Sequence, residues 1–197
     1  MKNKLIVLFV VLLISTGMAH GQEFWPEGFL LDIESPEYVL KSHNLKDSTV
    51  LATVSKPIDP NNTVLIREIV SKLFRTVTDS LSAGVGIAAP QVGISKRIIL
   101  VQRFDKPSSP FEAYVNPAII QKTELTKIQH EGCLSVDNTR LQVKRPYAIL
   151  VGYFTVNGEY KFEMVEDFTA RIFQHEIDHL NGILFTQRAM VSKENTE

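Results

Sequence analysis

The chain has 197 residues, 44% of them hydrophobic and 22% charged, which is globular composition with enough apolar material for one buried core. A formal net charge of -1 excludes the basic excess that nucleic-acid binding normally demands. The lone cysteine, Cys133, excludes an internal disulfide and leaves that thiol either to pack or to do chemistry.

In chain order, the first feature is Lys2 and Lys4 ahead of an unbroken apolar run, Leu5 to Ile14, followed by small and polar residues through Ala19-His20-Gly21. That is the three-part pattern of a secretory signal, residues 1–21, with cleavage before Gln22. It predicts export to a periplasm or the medium, or anchoring at a membrane if the signal stays uncleaved. The run falls short of the roughly 20 apolar residues of a stable span, so the mature chain is expected to have none. Residues 22–46 mix apolar and polar positions without a period and read as an N-terminal arm. From Leu65 to Leu81, apolar residues recur at spacings of three and four, predicting an amphipathic helix over Thr63–Leu81 with Asn61, Asn62 or Thr63 as its cap. Arg97–Gln102 reads as a strand, 106–110 as a loop, and Ala113–Ile120 as a strand interrupted at Asn116-Pro117. Tyr147–Val165 is rich in β-branched and aromatic residues around Asn157-Gly158, a hairpin signal. A helix follows from about Asp167 to Leu180, ended by Asn181-Gly182. With no repeats, residues 47–190 form one α+β domain and 191–197 a polar tail.

That last helix contains HExxH. His175 and His179 lie four residues apart, hence on one face and about 6 Å apart at Cβ, where two imidazoles can share a metal ion. Glu176 between them can act as base toward a metal-held water. A hydrolytic site usually has a third protein ligand. Position 185 is Phe185, so the histidine that would continue HExxHxxGxxH is missing, and the short polar tail leaves no room for an acidic ligand on a later helix. The third ligand must come from upstream, with Cys133, His130, Glu131 and more distant acids as candidates; Cys133 can equally be a small buried packer. Further upstream, GVGIAAPQ (Gly84–Gln91) reads either as a tight turn against a sheet or as a ligand loop. It lacks the ending of a phosphate loop, but its glycines permit close backbone approach and Gln91 supplies an amide donor for an oxyanion.

GVGIAAPQ, EGCLS and QHEIDH, in this order and at these spacings, resemble the three motifs of the peptide deformylases. The likeness extends through VNPAII and FTARIFQHEIDHLNGILF and covers roughly residues 47–189. The resemblance implies an α+β domain with mixed and antiparallel sheets packed around a central helix bearing HExxH. It implies Cys133, His175 and His179 as metal ligands, Glu176 as general acid/base, and Gln91 with the Leu134 N–H as oxyanion donors. Gly86 would hydrogen-bond the substrate backbone, Arg140 would hold the peptide, and Val85 and Phe173 would line a pocket for a methionine side chain. Arg145 would pair with Asp178 to support the helix. The implied cofactor is one divalent ion, Fe2+ by resemblance, with Zn2+ or Ni2+ suited to the same ligands, and export from the reducing cytosol would favour zinc. The implied partners are N-formyl-methionyl peptides or protein N-termini, from which the formyl group is hydrolysed as formate. An exported metallohydrolase of another N-acyl peptide, and a non-catalytic binder of formyl peptides or metal, are the other readings. Two departures stand out: the family acts on newly made chains in the cytosol, unlike an exported protein, and Asp137 stands where the family often has proline.

Overall fold

A computed structural model describes residues 36–190. The stretch read as a signal segment, most of the arm (22–35) and the polar tail lie outside the described residues.

The described chain is built on one five-stranded antiparallel sheet with a helix on each face. In sequence order its strands are β1 (Gly86–Ala88), β2 (Ile98–Gln102), β3 (Phe111–Lys122), β6 (Ala148–Phe154) and β7 (Tyr160–Glu166), and this is also their spatial order. β4 (Thr126–Cys133) and β5 (Val136–Pro146) form a separate two-stranded ribbon. The helices are α1 (Leu45–Leu51), α2 (Thr63–Thr78) and α3 (Asp167–Leu180).

Strand alternation sends side chains to opposite faces, and the sheet exploits both. Ile98 and Leu100 of β2 join Ile66, Ile69, Val70, Leu73 and Val77 of α2 in one core layer. Ile99 and Val101 of the same strand join Ile149, Val151, Ile172, Phe173 and Leu180 in the other, under α3. A strand buried on both sides has no polar face to show, which is why RIILVQ reads as an apolar run.

The Asn62 side chain caps α2 by accepting from the Leu65 N–H. The helix stops at Thr78 rather than at Leu81, because Asp79 is extended and its side chain accepts from the Leu81 N–H in a local turn. Leu81, counted in the apolar stripe, is consequently 95% exposed. The break at Asn116-Pro117 is a bulge: Asn116 has a left-handed φ of 49°, and the register with β6 shifts between Val115 and Ala118. At the Asn157-Gly158 hairpin only Gly158 among the loop residues has positive φ, and the Thr155 N–H donates to the Glu159 carbonyl. The connection is thus a three-residue loop with glycine in the left-handed position, not a two-residue turn.

Three features escaped the sequence pattern, of which β1, three buried residues inside the stretch read as a turn or ligand loop, is the shortest. α1 is about two turns of helix capped by Asn44, too short for periodicity to show. The β4–β5 ribbon is mostly exposed on both faces, so its residues do not alternate apolar with polar. It nonetheless delivers Cys133, the last residue of β4, to α3.

Candidate active site

α3 supplies half of the site. Residues 168, 172, 175, 176 and 179 recur at helical spacings and face a cleft of about 640 Å³ between the helix, β1 and the β4–β5 ribbon, except that His179 sits behind the others and is buried. The helix ends where Gly182, at φ 70°, turns the chain: Gly182 and Ile183 N–H groups donate to the His179 and Asp178 carbonyls.

Cys133 comes from the ribbon tip. Its Sγ lies 3.2 Å from His179 Nε2, and one donor atom each from Cys133, His175 and His179 fall within 4.8 Å of one another. Of the upstream candidates, then, the structure brings the thiol to the histidines. His130 is exposed on the cleft rim.

Glu131 is the residue whose role the sequence did not disclose. It is buried, and its two oxygens take bonds from Arg145 Nε (2.7 Å), Arg145 Nη2 (2.9 Å) and Arg171 Nη1 (2.5 Å), with His175 Nδ1 at 3.0 Å. Engaging Nδ1 leaves Nε2 of His175 as the nitrogen free for a metal, the orienting device common behind ligating histidines. Burial alone would raise the Glu131 carboxyl, but its bonds to His175 and Arg145 hold it well below the usual carboxylate range. The available signal was only its place two residues before the cysteine, and alternation could not settle its direction because the register with β5 shifts between Glu131 and Cys133. Arg145 also donates to Asp178 at 2.8 Å, the expected pair, and Arg188 caps the same carboxylate at 2.9 Å.

Glu176 is buried, and its Oε2 has no hydrogen-bond partner among the described residues. Burial, with a push from the charge of Glu131, raises its carboxyl to about 7, against the opposing pull of His175 and Arg145. Burial, with His175 and Arg145, keeps His179 neutral by lowering it well below the ordinary histidine value. A proton-exchanging carboxyl held near neutrality beside two imidazoles is an arrangement suited to acid/base hydrolysis.

Across the cleft, Gln91 sits in a short turn (Ala89–Val92) after β1. Its Oε1 accepts from the Ala88 N–H at 2.8 Å, which turns its Nε2 toward Ser135 Oγ at 3.2 Å and Cys133 Sγ at 3.7 Å. Leu134 follows Cys133 in the two-residue turn between β4 and β5, since Cys133 pairs with Val136. Gly86 lies under Glu176: a Cβ there would stand 2.6 Å from Glu176 Oε1 and 2.7 Å from Ile172 Cγ2. Gly86→Ala is therefore expected to push the carboxylate aside and lower kcat about a hundredfold, measured by steady-state turnover with metal content held equal. An unchanged kcat would mean that Glu176 need not occupy this position.

Val85 and Arg140 line the cleft as expected, both exposed. Phe173 does not. It is fully buried in the core against Tyr114 and beneath Arg103, one residue and about 100° round the helix from Ile172. The apolar cleft wall is instead Ile172 and Phe168, the residues four and eight before Glu176.

The polypeptide deformylase family model matches residues 41–195. The chain belongs to the peptide deformylase family. A peptide deformylase of Synechocystis is 40% identical over 124 residues, which are 62% of this chain and 65% of that relative's length. One of Prochlorococcus marinus (strain NATL2A) is 34% identical over 82% of this chain and 78% of its own. Among solved structures, the K1U-bound class I type b peptide deformylase of Acinetobacter baumannii superposes with a TM-score of 0.71 at 37% identity, covering 79% of this chain and 99% of that one. The same enzyme bound to Met-Ala-Ser gives 0.68 at 36%, covering 78% and 98%. These deformylases support a metallohydrolase that removes the N-formyl group from nascent peptides, and support neither an enzyme of other N-acyl groups nor a non-catalytic binder.

The deformylase relatives also correct the expectation of export or membrane anchoring, since they are cytosolic peptide deformylases. Without export, the preference for zinc over iron loses its basis. The apolar N-terminal run lies outside both the family match and the described residues. Among the described residues, no helix is long and apolar enough to cross a membrane.

Proposed function

We propose that this cleft hydrolyses the formyl group of formyl-methionyl peptides and protein N-termini, with Cys133, His175 and His179 holding one divalent metal ion. The observation that carries the reading is the convergence of those three donors with Glu176 alongside. The donor set fits such an ion: a thiol and two imidazoles suit iron(II), nickel or zinc rather than calcium or magnesium, and three protein ligands leave a position open. When bound, the metal supplies Lewis acidity that lowers the pKa of a water and polarises the formyl oxygen.

The chain's own groups do the rest. Glu176 accepts the proton of the attacking water and returns it to the leaving amine, using an oxygen that has no other partner. Gln91 Nε2 and the Leu134 N–H offer hydrogen bonds to the oxyanion that develops on the formyl carbon. β1 is an edge strand, and its Gly86 groups alternate away from β2, because the Gln102 N–H donates to the neighbouring Val85 carbonyl. An extended peptide can therefore pair with Gly86 along that free edge. Ile172, Phe168 and Val85 provide an apolar wall for a methionine side chain, and Arg140 at the rim a charge for the peptide beyond it. Occupation of the A. baumannii relative by Met-Ala-Ser supports a substrate of this length and first residue. Asp178 and Arg145, behind the ligand helix, hold it to Glu131 rather than touching substrate.

The test is formate release from formyl-Met-Ala-Ser by protein reconstituted without oxygen with iron(II), nickel or zinc. Turnover that requires metal and spares acetyl-Met-Ala-Ser is expected. Loaded protein that releases no formate, or that deacylates both peptides alike, would overturn the reading.

A further inference from the structure

Gln91 and Leu134 belong to different parts of the fold. Gln91 follows β1 of the large sheet, whereas Leu134 lies at the tip of the separate β4–β5 ribbon. No shared ladder sets the distance between them. Besides the direct bond from Gln91 Nε2 to Ser135 Oγ, a short stretch of chain ahead of α1 joins the two turns. The Leu40 N–H donates to the Gln91 carbonyl at 2.8 Å, and two residues later the Ser42 N–H donates to the Ser135 carbonyl at 2.8 Å. Between them, Lys41 Nζ donates to the Leu134 carbonyl at 2.9 Å and to Asp137 Oδ1 at 2.7 Å. The stretch is itself fastened: the Lys41 N–H donates to Asp47 Oδ2 in α1 at 2.9 Å, and the Glu37 N–H to Thr76 Oγ1 in α2 at 3.0 Å.

We propose that Lys41 is a positioning residue for the oxyanion side of the cleft, clamping the Leu134 carbonyl, and with it the two-residue turn, so that the adjoining Leu134 N–H and the Gln91 amide keep one fixed separation. This rests on the deformylase reading. The Leu134 carbonyl lies in the peptide plane that follows the one carrying the Leu134 N–H, and because Leu134 and Ser135 form the whole of a two-residue turn closed by the Cys133–Val136 pair, fixing one plane restricts the other. Lys41 fixes the carbonyl plane with a charge-assisted bond, and Asp137, the departure from the family pattern, holds the ammonium in place. The Lys41 and Asp137 side chains are 27% and 45% exposed, so the pair by itself contributes little to stability. Its consequence is geometric, and a preorganised donor loses its value when it drifts.

The experiment compares Lys41→Met, Lys41→Arg and Asp137→Asn with the natural chain, each loaded with the same metal and assayed on formyl-Met-Ala-Ser. Lys41→Met is expected to lower kcat about tenfold, a fraction of the 10²–10³ that loss of a whole oxyanion donor costs. KM and metal content should stay within about twofold, and Tm within about 3 °C. Lys41→Arg should restore most of kcat, and Asp137→Asn should fall between. Hydrogen exchange, which needs no turnover, should show faster exchange of the Leu40 and Ser42 amides in Lys41→Met. A Lys41→Met kcat within about twofold of the natural chain, or a loss that follows Tm or metal content and is not rescued by arginine, overturns the positioning role alone. Absence of formate release from the loaded natural chain overturns the deformylase reading, and this proposal with it.

Discussion

Glu176→Ala is expected to lower kcat for formate release by about 10² to 10⁴, the usual contribution of a positioned acid/base group, while leaving metal content unchanged. The magnitude follows from the isolation of the carboxylate. It is buried, one of its oxygens has no partner, and Gly86 lies beneath the other with no room even for a Cβ. Glu176→Gln separates chemistry from packing, because it keeps the shape under Gly86 and removes the proton exchange. The two substitutions should be about equally inactive. A glutamine variant that retained most of the activity would show that the carboxylate only fills space. The measurements are single-turnover formate release and metal stoichiometry on the same samples.

Glu131→Ala should have the second large effect, and it should appear before any substrate is added. Glu131 binds two buried arginines and a ligand histidine, so its removal leaves buried positive charge without its main partner. Breaking a buried ion pair from one side typically costs about 3–5 kcal/mol. The lower part of that range is expected, because Arg145 keeps Asp178 and Arg171 keeps the Val143 and Lys127 carbonyls. Denaturant unfolding of the metal-free protein measures this, and a change below about 1 kcal/mol would sink the account of Glu131 as the hub. Metal affinity should fall separately by about 10- to 100-fold, read by chelator competition, because His175 loses the group that orients its ring. The pH dependence has a definite sign. Glu131 is held below its ordinary value in the folded state, so its contribution is fully present above about pH 4.5 and is lost as the pH falls below that. The stability gap between the natural chain and Glu131→Ala should therefore narrow in strong acid.

The experiments on Glu131 and Glu176 address residues of unequal legibility. Glu176 stands inside HExxH, and a helix fixes the relation of positions i, i+1 and i+4 without reference to anything else in the molecule. The same local logic made α2 and α3 readable, since their apolar stripes exist in the sequence before they find a core. Asn157-Gly158 announced its hairpin for a similar reason, although the loop type depended on which residue took the left-handed conformation.

Other features had no local signature. The β4–β5 ribbon pairs two largely solvated strands, and pairing without a buried face leaves no alternation to detect. Phe173 and Ile172 are both apolar core residues on one helix, and only the position of the sheet decides that Ile172 also reaches the cleft and Phe173 does not. The N-terminal run shows the opposite hazard. Its signal-like pattern was local and clear, yet the kinship of residues 41–195 with cytosolic deformylases corrected the conclusion drawn from it.

By itself, then, the amino-acid order determined the two long helices, the main strands, the paired histidines with their glutamate, and three motifs whose order marks the family. Only tertiary structure decided that Cys133 reaches His179, that Glu131 bonds to His175, that Gly86 lies against Glu176, and that Lys41 reaches the Leu134 carbonyl. The first group rests on periodicities of a few residues. The second rests on contacts across 44 to 93 residues of chain, such as His175 with Glu131 and Lys41 with Leu134, which exist only once sheet and ribbon have closed around α3.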